Sequence, residues 1–243
     1  MQKVNLASAY ILHRHKYRET SLLLDIFSKD YGRLSLVAKG ARRNRKQQGV
    51  AFEPFQRYQL SWIARSELGT LTHIDAEKAG FSLNSRQLFS GFYINELVLH
   101  LLHRHESHPE LFDAYESILK QLAGGLAEEI VLRYFEKTLL QTLGYGLVLD
   151  IDVDSGEPVS PEQDYLYVYE RGPVSYMKDT VEGIKISGKT LLALQQETLL
   201  DQDRSCLREA KQYLRVILAR YLGDKKLASR DLYNAFIKAG TTA

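Results

Sequence analysis

Cysteine is almost missing from this 243-residue chain, with Cys206 standing alone. A single thiol excludes an internal disulfide and any zinc site built from several cysteines. It fits a reducing compartment. Long apolar runs are missing too: nothing approaches the ~18 residues that a membrane-spanning helix needs. The start, Met1 to Ala7, has no extended apolar stretch, and His13-Arg14-His15-Lys16 follows soon after. No signal peptide is expected, and the chain reads as cytoplasmic. Excess charge of either sign is missing as well, because 32 basic and 30 acidic residues leave a net charge of +2. That total argues against a nucleic-acid partner. What is present is an ordinary globular composition, 44% hydrophobic and 26% charged. It excludes disordered, collagen-like and coiled-coil classes. The length suits one or two domains, each able to bury a core without staples.

The small net charge hides segregation. Residues 1–80 carry 14 basic and 7 acidic side chains, and residues 204–243 carry 9 and 3. Residues 144–182 carry only 2 basic against 9 acidic. A chain that is neutral on average can therefore present two basic surfaces. The densest stretch is Ala38 to Gly49, with Lys39, Arg42, Arg43, Arg45 and Lys46 and no acid. Glycines let such a loop approach a ligand closely, while arginines fork onto phosphate oxygens. Arg14, Lys16 and Arg18 extend the same basic region. On a helix near the C-terminus, Arg204, Arg208, Lys211 and Arg215 recur at i+3 and i+4. That spacing makes a cationic face suited to an acidic peptide or a second DNA strand.

The fold expected is α+β. Five strands fill residues 1–80: around Ala9–Leu12, Thr20–Ser28, Arg33–Ala38, Phe55–Ile63 and Leu68–Ile74. In the third, Leu34 and Leu36 share a face. In the fifth, Leu68, Thr70, Thr72 and Ile74 face one way and Leu71 the other. Five short strands suggest a small barrel, of oligonucleotide-binding (OB) type or SH3-like. From residue 83 the period turns helical. Helices are expected from Ser85 as cap to about His103, from Pro109, over Ala127–Leu143, after Ser187, from Asp203, and after Ser229. The first is apolar on nearly every side, so Asn95 and Glu96 require buried partners. Residues 81–243 thus form a helical domain. Its acidic, cysteine-free insert, 144–182, contains an exposed-looking strand, Tyr165-Leu166-Tyr167-Val168-Tyr169.

Three motifs compete with this reading. Gly183-Ile184-Lys185-Ile186-Ser187-Gly188-Lys189-Thr190 fits the phosphate-binding P-loop pattern and would make the chain a nucleotide hydrolase. Its context is poor, since no buried parallel strand precedes it. His100, His103, His105 and His108 lie within nine residues. His100 and His103 are spaced to share a metal, though histidines also suit a helix C-terminus. Cys206, on a helix beside Leu207, reads as a packed or half-exposed residue rather than a nucleophile. No catalytic elbow or paired carboxylates stand out, so no catalytic residue, resident cofactor or metal is assigned. The first 80 residues hold eight aromatics, no enrichment over the rest of the chain. Some of these rings must fill the barrel, and any that remain accessible could stack on bases. An RNA-binding OB module is a further reading.

Several blocks resemble one family in order along the chain. Glu19-Thr20-Ser21-Leu22-Leu23-Leu24-Asp25, Gly32-Arg33-Leu34 and Val37-Ala38-Lys39-Gly40-Ala41-Arg42-Arg43 resemble the amino-terminal signature of the bacterial RecO family. The likeness continues through Ser90-Gly91-Phe92-Tyr93-Ile94-Asn95-Glu96-Leu97, Leu143-Gly144-Tyr145-Gly146, Ser155-Gly156-Glu157-Pro158-Val159 and Ser229-Arg230-Asp231-Leu232. This resemblance implies an OB domain followed by a helical domain with a small inserted module. It implies a non-enzymatic recombination mediator that binds single- and double-stranded DNA, anneals strands and assists RecA loading. Implied partners are RecR and the single-stranded DNA-binding protein, whose acidic tail would dock on the helical domain. Many members carry a four-cysteine zinc knuckle in the insert. Segment 144–182 has no cysteine, so something else must hold it, with Tyr165, Tyr167 and Tyr169 as candidates.

Overall fold

The computed structural model describes residues 1–43, 52–77, 80–176 and 182–240. Five strands open the chain: β1 (Gln2–Tyr17), β2 (Ser21–Ser28), β3 (Gly32–Ala38), β4 (Arg57–Ala64) and β5 (Leu68–Ala76). They close into a barrel in the order β1-β2-β3-β5-β4. Closure depends on the length of β1. Its first half pairs with β4 and its second half with β2, with register shifts between Val4 and Ala7 and between Ile11 and His13. Such bulges bend a strand sharply enough to serve two neighbours. Leu6 takes a positive φ of 50° at the first of them, and its N–H donates to Ser61 Oγ at 3.0 Å. The last seam is a short parallel pairing of β3 with β5. This connectivity is the OB type, an alternative that strand periodicity had left level with an SH3-like barrel.

The barrel interior follows the alternation expected for Leu34 and Leu36, joined by Ile11, Leu24, Ile26, Tyr58, Leu60 and Trp62. Each large side chain buried there contributes about 1.5–3 kcal/mol. In β5 the expected alternation fails. Pairing jumps from Ser61↔His73 to Trp62↔Leu71, so Thr72 is the extra residue. Leu71 and Ile74 consequently both pack on the core, while Leu68 is exposed.

The outer surface of the barrel is apolar as well. Tyr10 and Phe27 lie against Phe112 and Tyr115 at ring-centroid distances of 4.9 to 6.1 Å. Those last two rings belong to α2 (Pro109–Ala123), which follows α1 (Ser85–Leu101). Asn95 on α1 has both partners that its burial demands. Its Nδ2 donates to the Leu12 carbonyl at 2.9 Å, and its Oδ1 accepts from the Tyr115 hydroxyl at 2.7 Å. The cap of α1 is Asn84, not Ser85: Asn84 and Gln87 form a reciprocal capping box. Leu88 and Phe92 on α1 are exposed, so this helix is not buried all round.

The terminal helix, α6 (Ala228–Gly240), packs beside α1. Ser229 was the expected cap, but it lies inside the first turn. The cap comes from α1, where the Glu96 carboxylate accepts the N–H groups of Ala228 and Ser229. Packing therefore groups residues 1–124 with 226–243 in one compact unit and 125–225 in another. This division differs from the strand-to-helix switch at residue 81, because α1, α2 and α6 pack with the barrel.

The second unit contains α3 (Glu128–Thr142), β6 (Asp164–Val168), β7 (Gly172–Ser175), β8 (Ile184–Ser187), α4 (Gly188–Gln195), a 3-10 turn at Leu199–Asp201 and α5 (Arg204–Leu222). The caps Ser187 and Asp203 hold as expected, each accepting from a first-turn N–H. The sheet runs β7-β6-β8. Its edge strand β8 lies beyond residue 182, so the inserted sheet is completed by chain outside the expected insert. The β6 strand is not exposed: Tyr165, Leu166 and Tyr167 are all buried.

Two devices hold this region. Aromatic packing is the first: Tyr167 meets Tyr213 of α5 edge-on at 4.8 Å, and Arg220 sits over the Tyr169 ring at 4.8 Å. The second is Asp152. Its carboxylate accepts from the Asp154, Ser155 and Ser175 N–H groups and from the Ser175 hydroxyl. Burial raises its pKa, but these hydrogen bonds outweigh burial and hold it below the usual carboxylate value.

Candidate nucleic-acid interface

One end of the barrel collects most of the predicted cations. Lys16 pairs with Leu22, and Leu22 pairs with Ala38, the residue before Lys39. Arg18 sits in the β1–β2 turn with a positive φ of 50°. After β3 the chain turns at Gly40, whose φ of 68° suits a residue without Cβ. The Arg43 N–H closes that turn on the Gly40 carbonyl at 2.9 Å. The two turns are tied together, since the Arg42 N–H donates to the Thr20 carbonyl at 2.9 Å. Lys16, Arg18, Lys39, Arg42 and Arg43 are all exposed here. Arg45 and Lys46 lie outside the described residues.

The cations are not equivalent. Arg42 also commits its guanidinium to the protein, donating to the Glu19 and Arg18 carbonyls at 2.8 and 3.3 Å. Arg14 is half-buried and donates to the Phe52 carbonyl and to Glu53 Oε1, at 3.1 and 3.2 Å. Lys16, Arg18, Lys39 and Arg43 present their charge outward.

Six of the eight aromatics in this region are buried: Tyr10, Phe27, Phe52, Phe55, Tyr58 and Trp62. Tyr31 stacks edge-on against Trp62 at 5.1 Å. Tyr17 is half-buried at the basic end, with the Arg18 guanidinium 5.3 Å from its ring centroid. Nothing in the sequence singles Tyr17 out, because only the fold shows which rings the core consumes.

Arg204, Arg208, Lys211 and Arg215 are exposed on α5, in the second compact unit. Lys211 pairs with Glu129 at 3.2 Å. Cys206, on the same helix, is packed rather than half-exposed, and burial raises its thiol pKa.

The P-loop resemblance does not survive folding. Ile184 to Ser187 form strand β8, antiparallel to β6, where a phosphate-cradling loop would have to be. Lys185 pairs with Asp164 at 2.8 Å and Lys189 with Asp203 at 3.1 Å. Gly188 is small for packing: a Cβ there would lie 1.9 Å from the Ser160 carbonyl oxygen. Among the described residues, His100, His103, His105 and His108 do not form a group of three or more metal-ligating side chains. The group of metal-ligating side chains found among the described residues is a different one, His13, His15 and Asp25.

Comparison with known proteins fits this architecture. The model for the recombination protein O N-terminal domain matches residues 1–79, and that for its C-terminal domain matches residues 84–231. The chain belongs to the RecO family. A DNA repair protein RecO of Methylococcus capsulatus is 43% identical over 234 residues, covering 96% of this chain and 94% of that protein. Another from Nitrosococcus oceani is 40% identical, covering 99% and 97%. A third, from Coxiella burnetii, is 39% identical, covering 95% and 98%. The break between the two RecO models falls at the passage from barrel to α1. Among the described residues no helix is long and apolar enough to cross a membrane.

Proposed function

We propose that this chain is a non-enzymatic recombination mediator acting in DNA repair. It binds single- and double-stranded DNA, anneals complementary strands and assists RecA loading, with RecR and the single-stranded DNA-binding protein as partners. The observation that carries the reading is the gathering of Lys16, Arg18, Lys39 and Arg43 at one end of an OB barrel, beside a half-exposed Tyr17. Cations on a barrel rim grip phosphates without reading bases, which is what annealing of arbitrary sequences requires. Arg14, Arg42, Arg45 and Lys46 extend this DNA-binding set, and Tyr17 supplies one stacking platform. The α5 face of Arg204, Arg208, Lys211 and Arg215 receives the acidic tail of the single-stranded DNA-binding protein. Opposite charge and regular spacing support that assignment.

The test is strand annealing on DNA coated with the single-stranded DNA-binding protein, with Lys16, Arg18, Lys39 and Arg43 replaced together by Gln. Annealing should fall, and the dependence of log affinity on log salt should flatten by ~0.7 for each lost single-strand contact. An unchanged slope would remove the barrel end from the interface. Equal or tighter binding of RNA at the same salt would redirect the reading to RNA.

A further inference from the structure

A second chemistry sits on the outer face of the barrel. His13 and His15 occupy alternate positions on β1, so both rings leave the strand on one face. His13 is the cross-strand partner of Asp25 on β2. His13 Nδ1 and His15 Nε2 are 2.7 Å apart, and His15 Nε2 lies 3.3 Å from Asp25 Oδ2. One ligand atom from each of the three residues falls within 4.8 Å of the other two. We propose that His13, His15 and Asp25 form a binding site for a divalent transition-metal ion of the zinc class.

The donor set favours that class. Two imidazoles with one carboxylate suit zinc, cobalt or nickel, whereas magnesium and calcium prefer all-oxygen shells. Zinc–nitrogen and zinc–oxygen bonds of about 2.0–2.2 Å at tetrahedral angles put neighbouring ligand atoms about 3.4 Å apart. The His15–Asp25 pair already stands at 3.3 Å. The two histidine nitrogens must open from 2.7 Å by a fraction of an ångström, which small side-chain rotations supply because both rings are exposed.

The tautomers accommodate the ion. In the absence of metal the close nitrogens share one ring proton. Moving the His13 proton to Nε2 leaves Nδ1 as a ligand, and His15 binds through Nε2 with its proton on Nδ1. The carboxylate is already oriented for ligation. Its Oδ1 accepts from the buried Ser35 hydroxyl at 2.6 Å, leaving Oδ2 toward the histidines. A hydrogen bond of this kind fixes a ligand in most protein metal sites. Solvent supplies the fourth ligand, since both imidazoles are exposed.

The test is calorimetric titration of the full-length, untagged chain with zinc chloride, alongside the absorption spectrum of the cobalt-loaded protein. One equivalent should bind, with cobalt bands of the intensity typical of a tetrahedral site. The H13N/H15N pair should abolish this binding, and Ser35→Ala, which only positions Asp25, should weaken it about tenfold. Replacing His103 and His105 by Asn should change nothing. An absence of stoichiometric binding to the wild-type chain would overturn the proposal. So would unchanged affinity in H13N/H15N, or equal loss in the His103/His105 control. Melting curves of every variant accompany the titrations, and Ser35→Ala keeps the ligand test independent of any loss of fold in the histidine pair.

Discussion

The Glu96 carboxylate on α1 accepts the backbone N–H of Ser229 on α6 at 3.0 Å, joining residues 133 positions apart. A neighbouring bond from the Ala228 N–H is 2.9 Å long. The Ser229 hydroxyl also donates to this carboxylate. One side chain therefore satisfies donors that a helix start leaves open, and its negative charge meets the positive end of the helix dipole. Glu96→Ala should cost about 1–2 kcal/mol, the usual loss for an N-cap. Amide exchange should accelerate first in α6. Exchange spread evenly over the barrel would show that Glu96 does not act as its cap.

Arg42 and Arg43 are sequence neighbours with different roles. Arg42→Ala removes hydrogen bonds to the Arg18 and Glu19 carbonyls and should lower unfolding stability by about 1 kcal/mol. Arg43→Ala should leave stability within about 0.5 kcal/mol of wild type. On the proposed function it should still reduce the salt slope of single-strand binding by ~0.7. Urea titration and salt-dependent fluorescence anisotropy separate the two effects. Equal stability of both variants would contradict the geometry at the β1–β2 turn.

Asp152 gives the second unit a pH dependence of definite sign. Its folded pKa is depressed, so its contribution is fully present above the unfolded value of about 3.9 and fades as pH falls through the folded value. The difference in urea midpoint between wild type and Asp152→Asn should be complete at pH 7 and shrink below about pH 4. A gap that stayed constant through this range would place the effect in shape rather than charge.

Gly188 separates packing from phosphate binding. A methyl group there meets the Ser160 carbonyl oxygen at 1.9 Å, a contact that requires backbone movement. Gly188→Ala should destabilise the second unit by about 1–3 kcal/mol, the usual cost of overpacking. Calorimetry with magnesium-ATP should give no heat for the wild-type chain, because β8 occupies the place of the loop. Saturable heat would reinstate the nucleotide reading.

Local pattern alone determined a good deal here. Five strands and then helices, the caps Ser187 and Asp203, the partners required by Asn95 and Glu96, and the basic stretch from Lys39 were all legible. Each depends on neighbours a few positions away, through strand alternation, helical period or the turn preference of glycine. The family too was readable, from ordered blocks rather than any single motif. Tertiary structure decided what distant residues share. It made the barrel OB-type through the β3–β5 seam, shifted Leu71 inward by a bulge, and buried Tyr165 and Tyr167 where alternation alone suggested exposure. It gave Arg42 a structural role, left Tyr17 accessible at the basic end, and turned a P-loop spelling into an edge strand. It also set Asp25 beside His13 and His15. The physical reason is common to all of these. Periodicity says that a residue has an inside face or a charged tip, but packing between elements decides which partner that face or tip meets.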